Sequence, residues 1–384
     1  MAAIRLPQWP QANERETELL RQVLESEQWG GFHPFVREFE ESFAAFQHCR
    51  YGVALFNGTV SLELALIAFG IGVGDEVIVP AISFISSATA ISRVGAIPVF
   101  VDVEPESFNI DPQRVSAAIS LNTKAVMAVH FAGTPCRIDE IASICREHNL
   151  LLLEDAAHSQ GSEYNRRRTG SFGVASSFSF QNGKVLTAGE GGILLTSDAG
   201  FAERARSIAN CGRINGRSFY EHHNLGTNFR MSAFQAAVLL AQFERLPEQI
   251  QVRTVNARLL KHLLGDLSQL QWQAQPDWVT QNSWYLLPAR LKDRALCHQV
   301  RQALTAAGVP NAFYPYTLYQ NPLYQTAPCR VTSCPVAESI IADSFWLPHR
   351  ALLAEEDAIR QIAGVIRTAV WASAATAVPV SSRA

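Results

Sequence analysis

Six strand-sized apolar runs constrain this chain most: residues 76–79, 97–101, 125–129, 150–154, 176–180 and 193–196. Most are continuous rather than alternating, the pattern of strands covered on both faces. Helical stretches at 60–70, 87–95, 111–120 and 137–148 lie between several of them. This rhythm predicts a mostly parallel, helix-covered sheet, an α/β fold. Two amphipathic helices, 14–26 and 34–46, precede it, the first stopped by Gly30-Gly31. Beyond Gly200 the strand rhythm ends. A helix over 232–249 opens with a Ser232/Gln235 capping box and is expected to stop at Pro247. Further helices are expected at 252–267, 294–309 and 355–374, with a strand in 283–291.

The chain has 384 residues, long for one compact core, so two domains are expected. We place a large domain at 1–247, a smaller C-terminal α+β domain at 248–376 and a loose tail at 377–384. Hydrophobic residues make up 48 %, which argues against disorder. A formal net charge of -3 gives no reason to expect nucleic acid or an anionic membrane as partner. The apolar runs are too short to span a bilayer, and the N-terminus has no signal-peptide core. Seven scattered cysteines without a CxxC pair read as reduced thiols in a cytoplasmic protein. His222-His223 lacks a third ligand at metal spacing, so no metal site is expected.

In a parallel sheet, ligands bind at the carboxyl ends of the strands. Four features fall there. NGTVSLELAL (57–66) feeds a small-residue turn into a helix, and free amides of Thr59 and Val60 would make a phosphate site. An ordinary loop–helix junction reads the same way. LLLLEDAAHSQG (150–161) ends an apolar strand in Asp155, whose carboxylate would pair with a protonated ring nitrogen or cap the next helix. His158 follows near the same mouth. FSFQNGK (178–184) puts Lys184 after a buried strand. It lacks the glycine and hydroxyl residue of a Walker loop, and desolvation there would favour a neutral, Schiff-base-forming amine. SFISS (83–87) offers Phe84 as a stacking face, or as core. Taken together the four ask for a phosphorylated, planar ring with a basic nitrogen and an aldehyde. Pyridoxal 5'-phosphate meets all four requirements.

The stretches NGTVSLELAL, GDEVIVPAISFISSATAISRVGAIPVFVDVEPESFNIDP, HFAG, EDAAHSQG, FSFQNGKVLTAGEGG and LGTNFRMSAFQAA resemble the DegT/DnrJ/EryC1/StrS aminotransferases, fold-type I pyridoxal phosphate enzymes acting on keto-sugars and keto-cyclitols. The likeness runs from about residue 10 to about 370. QNGKVLTAGEGG and FWLPHRALL (345–353) resemble most the branch of scyllo-inosose-type cyclitol aminotransferases and aminohydroxybenzoate synthases. The resemblance implies that Lys184 carries the cofactor covalently and that Asp155 holds its ring nitrogen protonated. It implies that Phe84 stacks on the ring, that His158 lies near the ring hydroxyl, and that Gly58, Thr59 and Ser179 hold the phosphate. Asn228 would reach the phosphate of the other subunit, giving a homodimer with shared active sites. Arg230 would pair with the donor carboxylate or form an ion pair between subunits. Tyr314 and His349 could line the substrate side.

The expected activity is transfer of an amino group from glutamate or glutamine to a keto-sugar or keto-cyclitol. An alternative is an aminohydroxybenzoate-synthase-like dehydratase, a lyase using the same lysine. A third reading is a non-enzymatic, cofactor-binding regulatory protein.

Overall fold

The computed structural model describes residues 3–376; the expected tail at 377–384 lies outside the described residues. Helices α1 (Glu14–Glu25) and α2 (Pro34–Phe46) lead into β1 (Tyr51–Leu55) and α3 (Gly58–Phe69). Strand and helix then alternate: β2 (Glu76–Pro80), α4 (Ser86–Arg93), β3 (Ile97–Val101), α5 (Pro112–Ala118), β4 (Thr123–Val129), α6 (Ile138–Glu147) and β5 (Leu151–Asp155). A small hairpin, β6 (Glu163–Tyr164) and β7 (Arg167–Arg168), precedes β8 (Ala175–Ser179), β9 (Gly192–Thr196), α7 (Ala199–Ala209) and α8 (Ala233–Leu263). The remainder is β10 (Leu270–Trp272), β11 (Val279–Gln281), β12 (Leu286–Leu291), α9 (Arg294–Ala306), β13 (Arg330–Val331), α10 (Pro335–Asp343), β14 (Ser344–Pro348) and α11 (Glu356–Thr376).

Eight strands form the main sheet in the order β1-β9-β8-β5-β4-β2-β3-β13. All run in one direction except β9, which lies antiparallel to both neighbours. The six apolar runs supply its interior, and β2 and β9 are buried at every position. Continuous apolarity follows from this placement, because helices cover both faces. β1 escaped the sequence reading: YGVAL is short and carries a glycine, and its partner is the reversed β9. A separate three-stranded antiparallel sheet, β10-β12-β14, packs with α9 and α11 around its own core.

Proline 247 does not end a helix. α8 runs unbroken from Ala233 to Leu263, and the two expected helices are one. An interior proline removes one backbone bond and clashes with the preceding turn, costing about 3 kcal/mol. Burial offsets it on both sides of the proline. Ala236, Ala237, Leu240 and Leu246 join a core with α1 and α2, while Ala257 and Leu260 join the core of the small sheet. The expected boundary at 247/248 therefore falls inside a helix shared by two cores.

Among the described residues, no helix is long and apolar enough to cross a membrane. All seven cysteines are free.

Candidate active site

The strand ends of the main sheet build a cavity of about 350 Å³. Its wall includes Gly58, Thr59, Phe84, Asp155, His158, Ser179, Lys184 and Tyr314. Seven of these come from the segments that follow β1 and β2, from the last residue of β5 and the turn after it, and from the end and following turn of β8; Tyr314 comes from the C-terminal part of the chain.

The SFSF alternation of β8 organises one side. Phe178 and Phe180 are fully buried and meet Phe43 edge-on at 5.2 and 5.3 Å. Ser177 and Ser179, on the opposite face, are small enough to let α3 approach. Ser177 Oγ donates to the Gly58 carbonyl at 3.2 Å and shares a short contact with Ser61 Oγ. At Gly58, a Cβ would meet Ser179 Cβ at 2.7 Å; at Gly192 it would meet the Asn57 carbonyl at 2.3 Å. Glycine at both positions lets the start of α3 sit against the paired ends of β8 and β9.

Asn57 caps α3, its side-chain oxygen accepting from the Val60 amide at 2.9 Å. Val60 was expected to offer that amide to a ligand. The cap takes it instead, and Val60 turns its side chain into the core. Gly58 and Thr59 remain at the cavity wall, at the positive end of the helix. Thr59 Oγ1 and Ser86 Oγ lie 2.8 Å apart beside them.

Asp155, the last residue of β5, is 5 % exposed. One oxygen accepts from Ser87 Oγ at 2.6 Å, the other from the Ala157 amide at 3.2 Å. Ser87 in turn contacts Ser83 Oγ at 2.6 Å. The preceding Glu154 points the other way. Fully buried, it accepts from the amides of Gly170, Phe172 and Gly173 at 2.6–2.7 Å and pairs with His130 at 2.9 Å. The two adjacent acids thus divide their tasks by strand alternation.

Lys184 is 8 % exposed, in a turn closed by its own amide on the Gln181 carbonyl at 2.8 Å. Its Nζ lies 4.5 Å from the centre of the Tyr285 ring. Tyr285 stacks on His158 at 4.3 Å and 28°. His158 Nδ1 accepts from the Ala132 amide at 3.3 Å, which leaves the ring proton on Nε2. Burial, and then the Lys184 charge, push His158 well below the usual histidine range, so the ring is neutral. Tyr314 is raised by burial, with Tyr285 and Asp155 adding to it. Phe84 is 56 % exposed, presenting its ring over the opening.

Three expected residues lie elsewhere. Asn228 is exposed, and its side-chain oxygen accepts from the Arg230 amide at 3.3 Å. Arg230 lines a different surface pocket and donates to Asn210 Oδ1 at 2.8 Å. His349 is absent from the cavity wall. It is buried behind the lysine turn, with Nε2 3.1 Å from the Gly183 carbonyl. Ser86, Ser87 and Tyr285 also line the cavity and are not among the expected residues; only the tertiary fold brings Ser87 to the carboxylate and Tyr285 to the lysine.

The Lys184 amine, the buried Asp155 carboxylate, the exposed Phe84 face and a hydroxyl-lined helix start converge on the cavity. This donor set fits a phosphorylated pyridine aldehyde.

Comparison with known proteins agrees. Residues 10–367 match the DegT/DnrJ/EryC1/StrS aminotransferase family. The chain is 38 % identical over 382 residues to 3-amino-5-hydroxybenzoate synthase of Amycolatopsis mediterranei, covering 95 % of this chain and 97 % of that protein. It is 36 % identical over 306 residues to L-glutamine:2-deoxy-scyllo-inosose aminotransferase of Micromonospora echinospora, covering 75 % of this chain and 72 % of that one. The crystal structure of a 3-amino-5-hydroxybenzoic acid synthase superposes with a TM-score of 0.92 at 37 % identity, covering 96 % of this chain and all of that one. The chain therefore belongs to the DegT/DnrJ/EryC1/StrS aminotransferases, a family of pyridoxal phosphate enzymes of fold type I.

Proposed function

We propose that this protein moves an amino group from glutamine or glutamate to a keto-cyclitol or keto-sugar. The observation that carries the reading is the single cavity joining Lys184, Asp155 and the α3 start. When bound, pyridoxal phosphate supplies the electron sink and carries the amino group between substrates. Asp155, oriented by Ser87, would hold the protonated ring nitrogen. Phe84 would cover the ring face, Gly58, Thr59 and Ser179 would hold the phosphate, and His158 Nε2–H would face the ring hydroxyl. Lys184 Nζ takes and returns the proton at the substrate α-carbon as general acid–base. Relatives named as L-glutamine:2-deoxy-scyllo-inosose aminotransferases motivate the donor and acceptor.

The test is incubation with glutamine or glutamate. The cofactor spectrum should shift to the amine form, and a keto acid should be released once a keto-cyclitol or keto-sugar is supplied. Lys184→Arg should abolish both, together with borohydride trapping of the cofactor on the protein. A dehydratase is the second reading, favoured by the 38 % identity to 3-amino-5-hydroxybenzoate synthase over 95 % of the chain. It predicts water loss and an aromatic ultraviolet band from an amino-cyclohexenone substrate instead.

We also propose a homodimer with shared sites. The segment before Asn228 exposes Phe219 (59 %), Tyr220 (85 %) and Leu225 (97 %), apolar surface suited to a second copy. Mixing Lys184→Ala chains with Asn228→Asp chains tests it. If sites are shared, half the dimers hold one intact site, and activity returns to about a quarter of wild type. No recovery on mixing would refute sharing.

A further inference from the structure

Two neighbouring carbonyls at the lysine turn are held from behind by side chains far away in sequence. Trp9 Nε1–H donates to the Lys184 carbonyl at 3.1 Å, and His349 Nε2 lies 3.1 Å from the Gly183 carbonyl. The two rings meet edge-to-face at 4.5 Å and 85°. Only a protonated Nε2 can bond a carbonyl, so His349 carries its proton there. Burial, and then the charge of Arg253, keep it neutral in that form.

Trp9 sits midway along an N-terminal strap fastened at both ends. Upstream, Ile4 is buried in the core of the small sheet, and its amide donates to the Ala307 carbonyl at 2.9 Å. Downstream, the Gln11 carbonyl accepts from Gln242 Nε2 at 2.5 Å and Arg245 Nη2 at 3.2 Å, both on α8. With both ends tied, the indole has little freedom except to meet the lysine turn.

We propose that Trp9 is a positioning residue: its N–H, with that of His349 beside it, fixes the backbone from which the Lys184 amine works. In the family's chemistry a lysine released from the cofactor has no covalent tether at its tip. Its aim then rests on its backbone and on the Tyr285 ring against which Nζ packs. One hydrogen bond is worth about fivefold in the population of a held geometry, and a 1 Å misplacement costs up to about 100-fold in rate. Packing alone, by contrast, needs only a ring at position 9.

The inference rests on the cofactor reading above, and its test needs no keto acceptor. Cofactor-loaded Trp9→Phe, His349→Gln and His349→Leu are compared by visible circular dichroism of the cofactor band. The same variants are compared by the rate of the donor half-reaction with protonated and α-deuterated glutamine or glutamate, and by urea midpoint. Trp9→Phe keeps the ring and loses the N–H. We expect an altered dichroic band, a half-reaction about 5- to 50-fold slower, and a larger isotope effect. His349→Gln, which retains a donor at the same reach, should stay near wild type, while His349→Leu should behave like Trp9→Phe. An unchanged band and isotope effect in Trp9→Phe would overturn the proposal whatever happens to the midpoint. If Trp9→Phe does not fold, identical behaviour of the glutamine and leucine variants at 349 would overturn it as well. Should the donor prove inert, the dichroic band still decides.

Discussion

Ser87 is the residue whose removal should separate structure from chemistry. Its hydroxyl donates to the Asp155 carboxylate at 2.6 Å in a nearly water-free corner. A hydrogen bond to a charged group contributes about 2 kcal/mol, so Ser87→Ala should lower kcat/KM about 30-fold while the cofactor still binds. Steady-state kinetics beside an absorbance titration with pyridoxal phosphate would show the split. Glu154 makes the opposite case. It accepts three backbone amides and the His130 ring with no exposure at all. Glu154→Ala strands those donors and should cost about 3–5 kcal/mol in urea unfolding. Asp155 was legible as the acid of interest because it stands at the end of an apolar strand. The partition between the two acids also follows from period-two alternation. The Ser87 contact does not, since it spans 68 residues.

At the scale of elements, α8 is the instructive departure. Pro247 reads as a stop because local physics disfavours it inside a helix. The helix continues because two cores grip it, one on each side of the proline. Pro247→Ala restores the missing backbone donor and should raise stability by about 1–2 kcal/mol, once the greater freedom of the unfolded chain is deducted. A lower urea midpoint would mean that neighbouring helices are packed to the shape proline imposes. α3 shows the reverse situation, a helix legible at both ends. Asn57 caps it, Gly70 closes it in the left-handed region at φ 78°, and nine of its twelve residues are buried. What the local pattern hid was the use of the cap: Asn57 spends the Val60 amide and narrows the anion site to its first two residues.

For the whole molecule, two neutral buried histidines tie stability to pH. His158 and His349 are both pushed well below the usual histidine range by burial first, aided by the charges of Lys184 and Arg253 respectively. Above the unfolded-state value of about 6.5 neither state binds the proton, and stability is unaffected. Below it, the unfolded chain takes up protons that the folded chain refuses. Stability therefore falls with falling pH, by about 1.4 kcal/mol per pH unit for each ring. The fall ends only where the folded rings titrate. Urea unfolding between pH 7.5 and 5 should show it, and His349→Gln should remove its share of the slope. A flat profile across that window would contradict neutral burial of both rings.

The chain alone determined the sheet and the chemistry laid along it. Strands buried on both faces must be apolar throughout, and ligand groups at their carboxyl ends must follow them in sequence. Lys184, Asp155 and Phe84 could be named for that reason, Thr59 from the helix start it opens, and Gly58 and Ser179 from the family resemblance. Only the tertiary structure decided what surrounds them. Tyr285 against the lysine, Ser87 on the aspartate, His349 behind the turn and Trp9 across 175 residues carry no local signal. Their positions are set by which distant elements pack together, and a side chain's neighbours are fixed by that packing rather than by its own place in the sequence.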